Sequence, residues 1–306
     1  SAVYTLHQLT VFLKVAEFKS MTRAAEAMQL TQPAVSLLMK QLQEEVGAPL
    51  VDVVQKRVYL TSFGVDFQAT AHRILEEARG FAERTSERKG LLAGTLRMGV
   101  VSTGKYIAPY LLAEFLRLHP GLELELDVTN RAKVLEDVAG NRVDLALISV
   151  LPDKMALESL PLMENELVCV AQRPLAQPLP MDGVYPLGVL EDLPVLFREE
   201  GSATRTAMER LLSAHQIEPK KKLVLSTNEA VKQAVMAGLG VSIVPLIGMR
   251  GALREEKAVV VPIRGLPLRS TWHIVWPSGK VLSPAAQAFV QALRTDGPRW
   301  IAQHFG

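Results

Sequence analysis

Cysteine, long apolar runs and excess charge of one sign are all scarce in this chain, and each scarcity narrows the class of protein it can be. One cysteine in 306 residues, Cys169, rules out an internal disulfide, so nothing points to an oxidising compartment. Its neighbours Leu167-Val168 and Val170-Ala171 are strand-like, which predicts a small buried side chain rather than a reactive thiol. No stretch approaches the roughly 20 apolar residues of a membrane helix, and no leader pattern opens the chain. A cytoplasmic location with no membrane partner is expected. The formal net charge of only +2 argues against strong non-specific nucleic-acid binding.

Catalytic signatures are missing as well. His7, His72, His119, His215, His273 and His304 are scattered, with no paired metal spacing. Neither a nucleophile elbow nor a phosphate-loop lysine motif occurs. Gly238-Leu239-Gly240 lacks the third glycine of a dinucleotide fingerprint and reads as a turn. No catalytic residue, metal or cofactor is predicted.

What is present begins at Ser20. Residues 20–36 read as two short helices joined by a tight turn. Ala24, Ala25 and Met28 give the first helix a close-packing face, and Ser20 or Thr22 caps it. Thr31 caps the second, with Pro33 in its first turn, where a missing N–H costs nothing. Val35, Leu38, Met39, Leu42 and Val46 form a buried stripe, and Gly47 stops the helix. Gln32, Ser36, Lys40 and Gln43 fall on the other face. Gln can pair with adenine in a bidentate manner, Ser reads either base edge, and Lys reaches guanine or phosphate. Upstream, Leu6, Leu9, Leu13 and Ala16 make an amphipathic helix that closes the small core. Val51–Val54 and Arg57–Leu60 around Gln55-Lys56 predict a hairpin wing with a basic tip. This is the order of a helix-turn-helix that lays its second helix in the major groove.

These residues resemble the LysR-type transcriptional regulators. The resemblance rests on Arg23-Ala24-Ala25, Leu30 through Ser36, Gly47-Ala48-Pro49-Leu50, Leu60-Thr61 and Gly64. The family often carries a basic residue where Leu37 stands, and Phe and Arg where Val51 and Val53 stand, so phosphate grip shifts toward Lys40, Lys56 and Arg57. The expected DNA-binding set is Arg23, Thr31, Gln32, Pro33, Ser36, Lys40, Lys56 and Arg57. Over the first 64 residues six basic side chains oppose five acidic ones. Tight binding then needs more than one copy of the head. Phe67, Ala71, Ile74, Ala78 and Phe81 recur at heptad spacing. They predict a linker helix that pairs with a second subunit, as the resemblance also implies, and that ends at Gly90 through Gly94.

From Thr95 the pattern turns to alternating strands and helices. Apolar strands at 96–101, 122–128 and 143–148, then at 195–197, 224–226 and 241–244, are separated by helices, which signals parallel α/β sheets. A last strand at 272–275 and a last helix at 284–293 return the chain to its first unit. Two lobes result, with crossings near Glu164–Glu166 and Leu266–Ser270. The resemblance implies a periplasmic-binding-protein-like effector domain. The expected α/β architecture is a winged helix-turn-helix at 1–65, a linker helix at 66–94 and an effector domain at 95–306. Lobe I is 95–165 with 270–306, and lobe II is 166–269.

Ligands in such folds sit beyond the carboxyl ends of strands. Those ends supply Ser102, Thr103 and Lys105, then Asn130 and Arg131, then Ser149. In the second lobe they supply Ser202, Thr204, Arg205 and Asn228. Two helix N-termini facing each other across a cleft, with these hydroxyls and cations, suit a small anion bearing carboxylate or phosphate. The stretches 101–106, 129–131, 201–205, 228–241 and 282–286 resemble one subgroup, the regulators of RuBisCO and carbon-fixation operons. That resemblance implies phosphorylated or carboxylated effectors. The predicted function is a DNA-binding regulator whose partners are double-stranded DNA, a small metabolite anion, further copies of itself as a dimer or tetramer, and RNA polymerase. The competing readings are a solute-binding protein and an enzyme with an accessory helix-turn-helix.

Overall fold

Hydroxyls start the first three helices. Thr5, Ser20 and Thr31 each accept a backbone amide of the turn they precede, opening α1 (Leu6–Phe18), α2 (Met21–Ala27) and α3 (Gln32–Val46). The computed structural model describes residues 4–87 and 92–306, which divide into two compact units near residue 91.

In the first unit, Leu9, Phe12 and Val15 of α1 pack against Ala24 and Ala25 of α2 and against Val35, Met39 and Leu42 of α3. Leu6 departs from the expected inward stripe and is 49% exposed, because that stripe runs through Phe12 and Val15. Gly47 ends α3 at φ 81°. The wing follows as β1 (Val51–Val54) and β2 (Arg57–Leu60), paired antiparallel. Gln55 and Lys56 both take positive φ, at 50° and 65°, the conformation of a two-residue hairpin turn that matches the twist of its strands.

The long helix α4 spans Ser62–Glu87. Gly64 near its start is required by contact, since a Cβ there would lie 2.0 Å from the Leu50 carbonyl oxygen. The upper part of the expected pairing seam is already used within the head. Phe67 and Ala71 are buried, with Phe67 edge-on to Tyr4 and Phe12, and Ile74 packs partly against the same core. Phe81 is 68% exposed. The expected helix stop at Gly90 lies outside the described residues, and Gly94 opens the next strand.

The second unit begins with β3 (Gly94–Val101), a 3-10 turn at Ser102–Tyr106, α5 (Ala108–Leu118), β4 (Leu122–Thr129), α6 (Arg131–Ala139) and β5 (Leu145–Ile148). A 15-residue strand, β6 (Leu157–Ala171), leads to β7 (Pro194–Arg198), α7 (Ala203–Ala214), β8 (Lys221–Leu225), α8 (Asn228–Met236), β9 (Ser242–Pro245), α9 (Leu246–Arg254) and β10 (Val259–Val260). The chain closes with β11 (Leu268–Pro277), α10 (Pro284–Thr295) and α11 (Gly297–Phe305).

Strands β4, β3 and β5 are parallel, as the apolar runs predict. The sheet is nonetheless mixed, because β11 joins β5 antiparallel and β6 joins β11 antiparallel. At the residues of the expected crossings the chain is paired strand rather than linker. Glu164 sits opposite Thr271, Asn165 opposite Ser270 and Glu166 opposite Arg269. The far half of β6 pairs with β9 and β10 in lobe II, where β7 and β8 are parallel. Each lobe keeps its own apolar interior, around Phe115, Trp272 and Phe289 in lobe I and around Phe197, Met208 and Ile243 in lobe II. Cys169 lies on β6 at 1% exposure, and burial pushes its thiol up to about 12.

Candidate DNA-binding face and effector cleft

On α3 the outward side chains are polar and organised. The Gln32 amide donates to Ser36 Oγ at 2.8 Å, across one turn. Thr31, Gln32, Pro33 and Lys40 are exposed, and Lys40 lies 3.8 Å from Glu44. Leu37 is exposed beside them. Gln43 leaves this face: its side-chain oxygen accepts the amides of Leu50 at 2.8 Å and Val51 at 3.2 Å, tying the helix end to the wing. The wing is held at its other strand too, where Val58 N donates to the Lys19 carbonyl at 3.0 Å. Arg57 lies over the Tyr59 ring at 5.6 Å, and Arg23 over the Phe18 ring at 5.0 Å. These contacts hold the cationic groups without neutralising them.

In the second unit the cleft centres on a residue the sequence reading missed, Arg198. It ends β7 at 4% exposure. Its Nε and Nη2 donate to the two carboxylate oxygens of Glu199 at 2.8 and 2.7 Å, and Nη1 donates to Asn228 Oδ1. Nη2 also reaches across to Ser102 Oγ of lobe I at 3.4 Å. The signal for it was a charged residue closing the apolar run Val195-Leu196-Phe197.

Ser102, Thr103, Asn130, Arg131, Ser202 and Thr204 line the same cavity. Ser102 donates to the Thr129 carbonyl at 2.9 Å. Asn130 accepts the Lys133 amide at 3.0 Å, which caps α6, and Ser202 accepts the Arg205 amide at 3.4 Å, which caps α7. The two facing helix starts are therefore those of α6 and α7. The expected one after β3 is corrected: that stretch forms a 3-10 turn, not an α-helix. The Ala132 amide meets the Gly201 carbonyl at 3.4 Å between the lobes. The cavity measures about 10 Å³, room for one water-sized group.

Three predicted residues sit elsewhere. Ser149 is buried past the end of β5 and does not line the cavity. Arg205 turns back to donate to the Arg198 carbonyl at 3.1 Å and pairs with Glu209 at 2.8 Å, so it braces the strand end. Lys105 does not line this cavity, and its ammonium lies 5.2 Å from the Tyr106 ring centre. Burial lowers its pKa, and Arg198 and Lys232 lower it further against the opposing pull of Glu229. Asn228 Nδ2 is a buried donor with no acceptor, in a wall that already carries a guanidinium. Among the described residues no cluster of His, Cys, Asp and Glu is placed to hold a metal, and no helix is long and apolar enough to cross a membrane.

Comparison with known proteins accounts for both units. Residues 6–65 match the model of the bacterial regulatory helix-turn-helix protein, lysR family, and residues 89–298 match the LysR substrate binding domain. The chain belongs to the LysR family of bacterial transcriptional regulators. Among its LysR relatives, a RuBisCO operon transcriptional regulator of Allochromatium vinosum is 39% identical over 295 residues, 96% of this chain and 97% of that protein. The regulatory domain of CcmR from Synechocystis, solved in complex with 2-PG, is 33% identical with a TM-score of 0.62, covering 66% of this chain and 96% of that domain. A full-length OxyR variant from Pseudomonas aeruginosa shares the LysR fold over 98% of this chain and 96% of its own, with a TM-score of 0.72 at 23% identity. The chain is thus a transcriptional regulator with a DNA-binding head and an effector domain, and its named relatives are regulators rather than enzymes.

Proposed function

We propose that the cleft around Arg198 takes a small polyanion carrying phosphate and carboxylate, of the 2-phosphoglycolate class, and that the head acts at a carbon-fixation operon. The observation that carries this reading is the buried Arg198 guanidinium, bonded within lobe II and reaching Ser102 of lobe I. Two helix starts, four hydroxyls and the open amide donor of Asn228 surround it, and such donors suit a charged oxygen ligand. The related domain bound to 2-PG supports the class of ligand, and the relatives' names support the operon.

The cavity has no room for a phosphate as it stands, and Glu199 already occupies Arg198 as an internal carboxylate. A ligand anion therefore contends with Glu199 for Arg198 and favours the arrangement of the lobes in which Arg198 is released to it. That preference for one arrangement is what lets the ligand change how the DNA heads are held. Copies pair through the lower part of α4, around Ala78 and Phe81, as dimers that associate into tetramers on operator DNA. RNA polymerase is the downstream partner, and the site of action is the cytoplasm.

Calorimetric titration of 2-phosphoglycolate tests the ligand, with operator mobility shifts read in parallel. Saturable binding that weakens at least tenfold in Arg198→Lys, which loses the two-pronged geometry, is expected. No heat in the wild-type protein, or equal affinity in the variant, overturns the assignment.

A further inference from the structure

A second cavity, about 320 Å³, lies along the rim of the effector domain and differs from the central cleft in its charge balance. Arg131 of α6, Lys154 after β5 and Arg210 of α7 all line it, against a single carboxylate, Asp153. The other basic residues on those two helices have carboxylates of their own: Lys133 pairs with Asp137 and Arg205 with Glu209. Among the described residues, Arg131, Lys154 and Arg210 have no ion pair. Arg131 is fixed in place, its Nε donating to the Val150 carbonyl at 3.1 Å. Burial lowers its pKa, and the neighbouring Arg210 lowers it further against the opposing pull of Asp153, so two guanidinium groups share this space with one carboxylate. Val150, Leu151, Pro152 and Ala207 supply an apolar floor, with Leu151 40% exposed.

Three cations over an apolar floor, in a space within the size range of small-molecule sites, define a ligand by its chemistry. We propose that Arg131, Lys154 and Arg210 form a second anion site, for a phosphate or carboxylate carried on an apolar group. An anion there relieves the repulsion between the guanidiniums while its apolar part covers Leu151 and Pro152. Arg131 also lines the central cleft, and the cavity is walled by lobe I through 150–154 and by lobe II through 203–210. This inference builds on the proposed cleft but uses two residues, Lys154 and Arg210, that the cleft does not.

Phenyl phosphate is the probe, titrated calorimetrically into the full-length protein with and without saturating 2-phosphoglycolate. The expected result is one equivalent of phenyl phosphate bound in both conditions. The Lys154→Ala, Arg210→Ala double variant is expected to weaken it at least tenfold while changing 2-phosphoglycolate affinity less than threefold. Loss of phenyl phosphate binding when 2-phosphoglycolate saturates the protein shows one site only and overturns the proposal. So does unchanged binding in the double variant, or no binding to the wild type. If 2-phosphoglycolate itself fails to bind while phenyl phosphate behaves as expected, the cleft ligand falls and the rim site stands.

Discussion

Replacing Glu199 by Gln separates two roles of one carboxylate. Glu199 takes two N–H groups from Arg198 at 2.8 and 2.7 Å, and its own side chain is 26% exposed. Hydrogen bonds to charged groups contribute about 1.5–3 kcal/mol each. Partial solvent screening brings the pair to roughly 2 kcal/mol in total. A ligand anion has to give that up to reach Arg198, so the amide variant, which keeps the shape and drops the charge, should bind 2-phosphoglycolate about 30-fold more tightly at about 1.4 kcal/mol per decade. The same substitution leaves a 4% exposed guanidinium without its counter-ion. The unliganded effector domain should therefore melt lower, by roughly 4–8 °C for about 2 kcal/mol in a domain of this size. Calorimetry and thermal melting give the two readouts, which must move in opposite senses. Weaker binding in the variant would mean that Glu199 helps hold the ligand. Unchanged affinity with a lowered melting point would mean that the ligand never contends for Arg198. Either result refutes the displacement argument.

Three further outcomes are expected. Gln32→Ala removes the amide held by Ser36 and should lose about 1–3 kcal/mol of discrimination at one operator base pair, read as flattened preference across operator variants in mobility shifts. Gly64→Ala places a Cβ 2.0 Å from the Leu50 carbonyl oxygen and should destabilise the head by about 1–3 kcal/mol, measured by urea unfolding. Lys105, whose pKa is lowered by burial, should be restored toward its ordinary range by a bound anion. Binding then takes up protons, and effector affinity falls as pH rises through the lowered pKa of the free protein. Lys105→Met should flatten that alkaline limb in a pH series of titrations.

Local chemistry was legible in the sequence and long-range pairing was not. Thr31, Pro33 and Gly47 bounded α3 because caps and stops act within a few residues. Gln43 was assigned to the outer face by helical spacing, yet its oxygen serves amides seven and eight residues away. The stripe through Phe67 and Ala71 had the spacing of a pairing seam, and spacing cannot tell a partner helix from the protein's own core. Strand β6 was seen only at its apolar end, because its first half alternates with exposed glutamates against β11. Most of the cleft lining was visible as hydroxyls and amides at strand ends. Arg198 was hidden, since a basic residue after an apolar strand ordinarily marks the surface. Only the fold brings Glu199 and Asn228 around it.

The ladder between β6 and β11 restricts the motions available to the effector domain. Sliding one lobe past the other would tear the rungs at Asn165–Ser270 and Glu166–Arg269, whereas coiling the ribbon about its long axis keeps every rung intact. The ribbon thus favours torsion of one lobe against the other over translation.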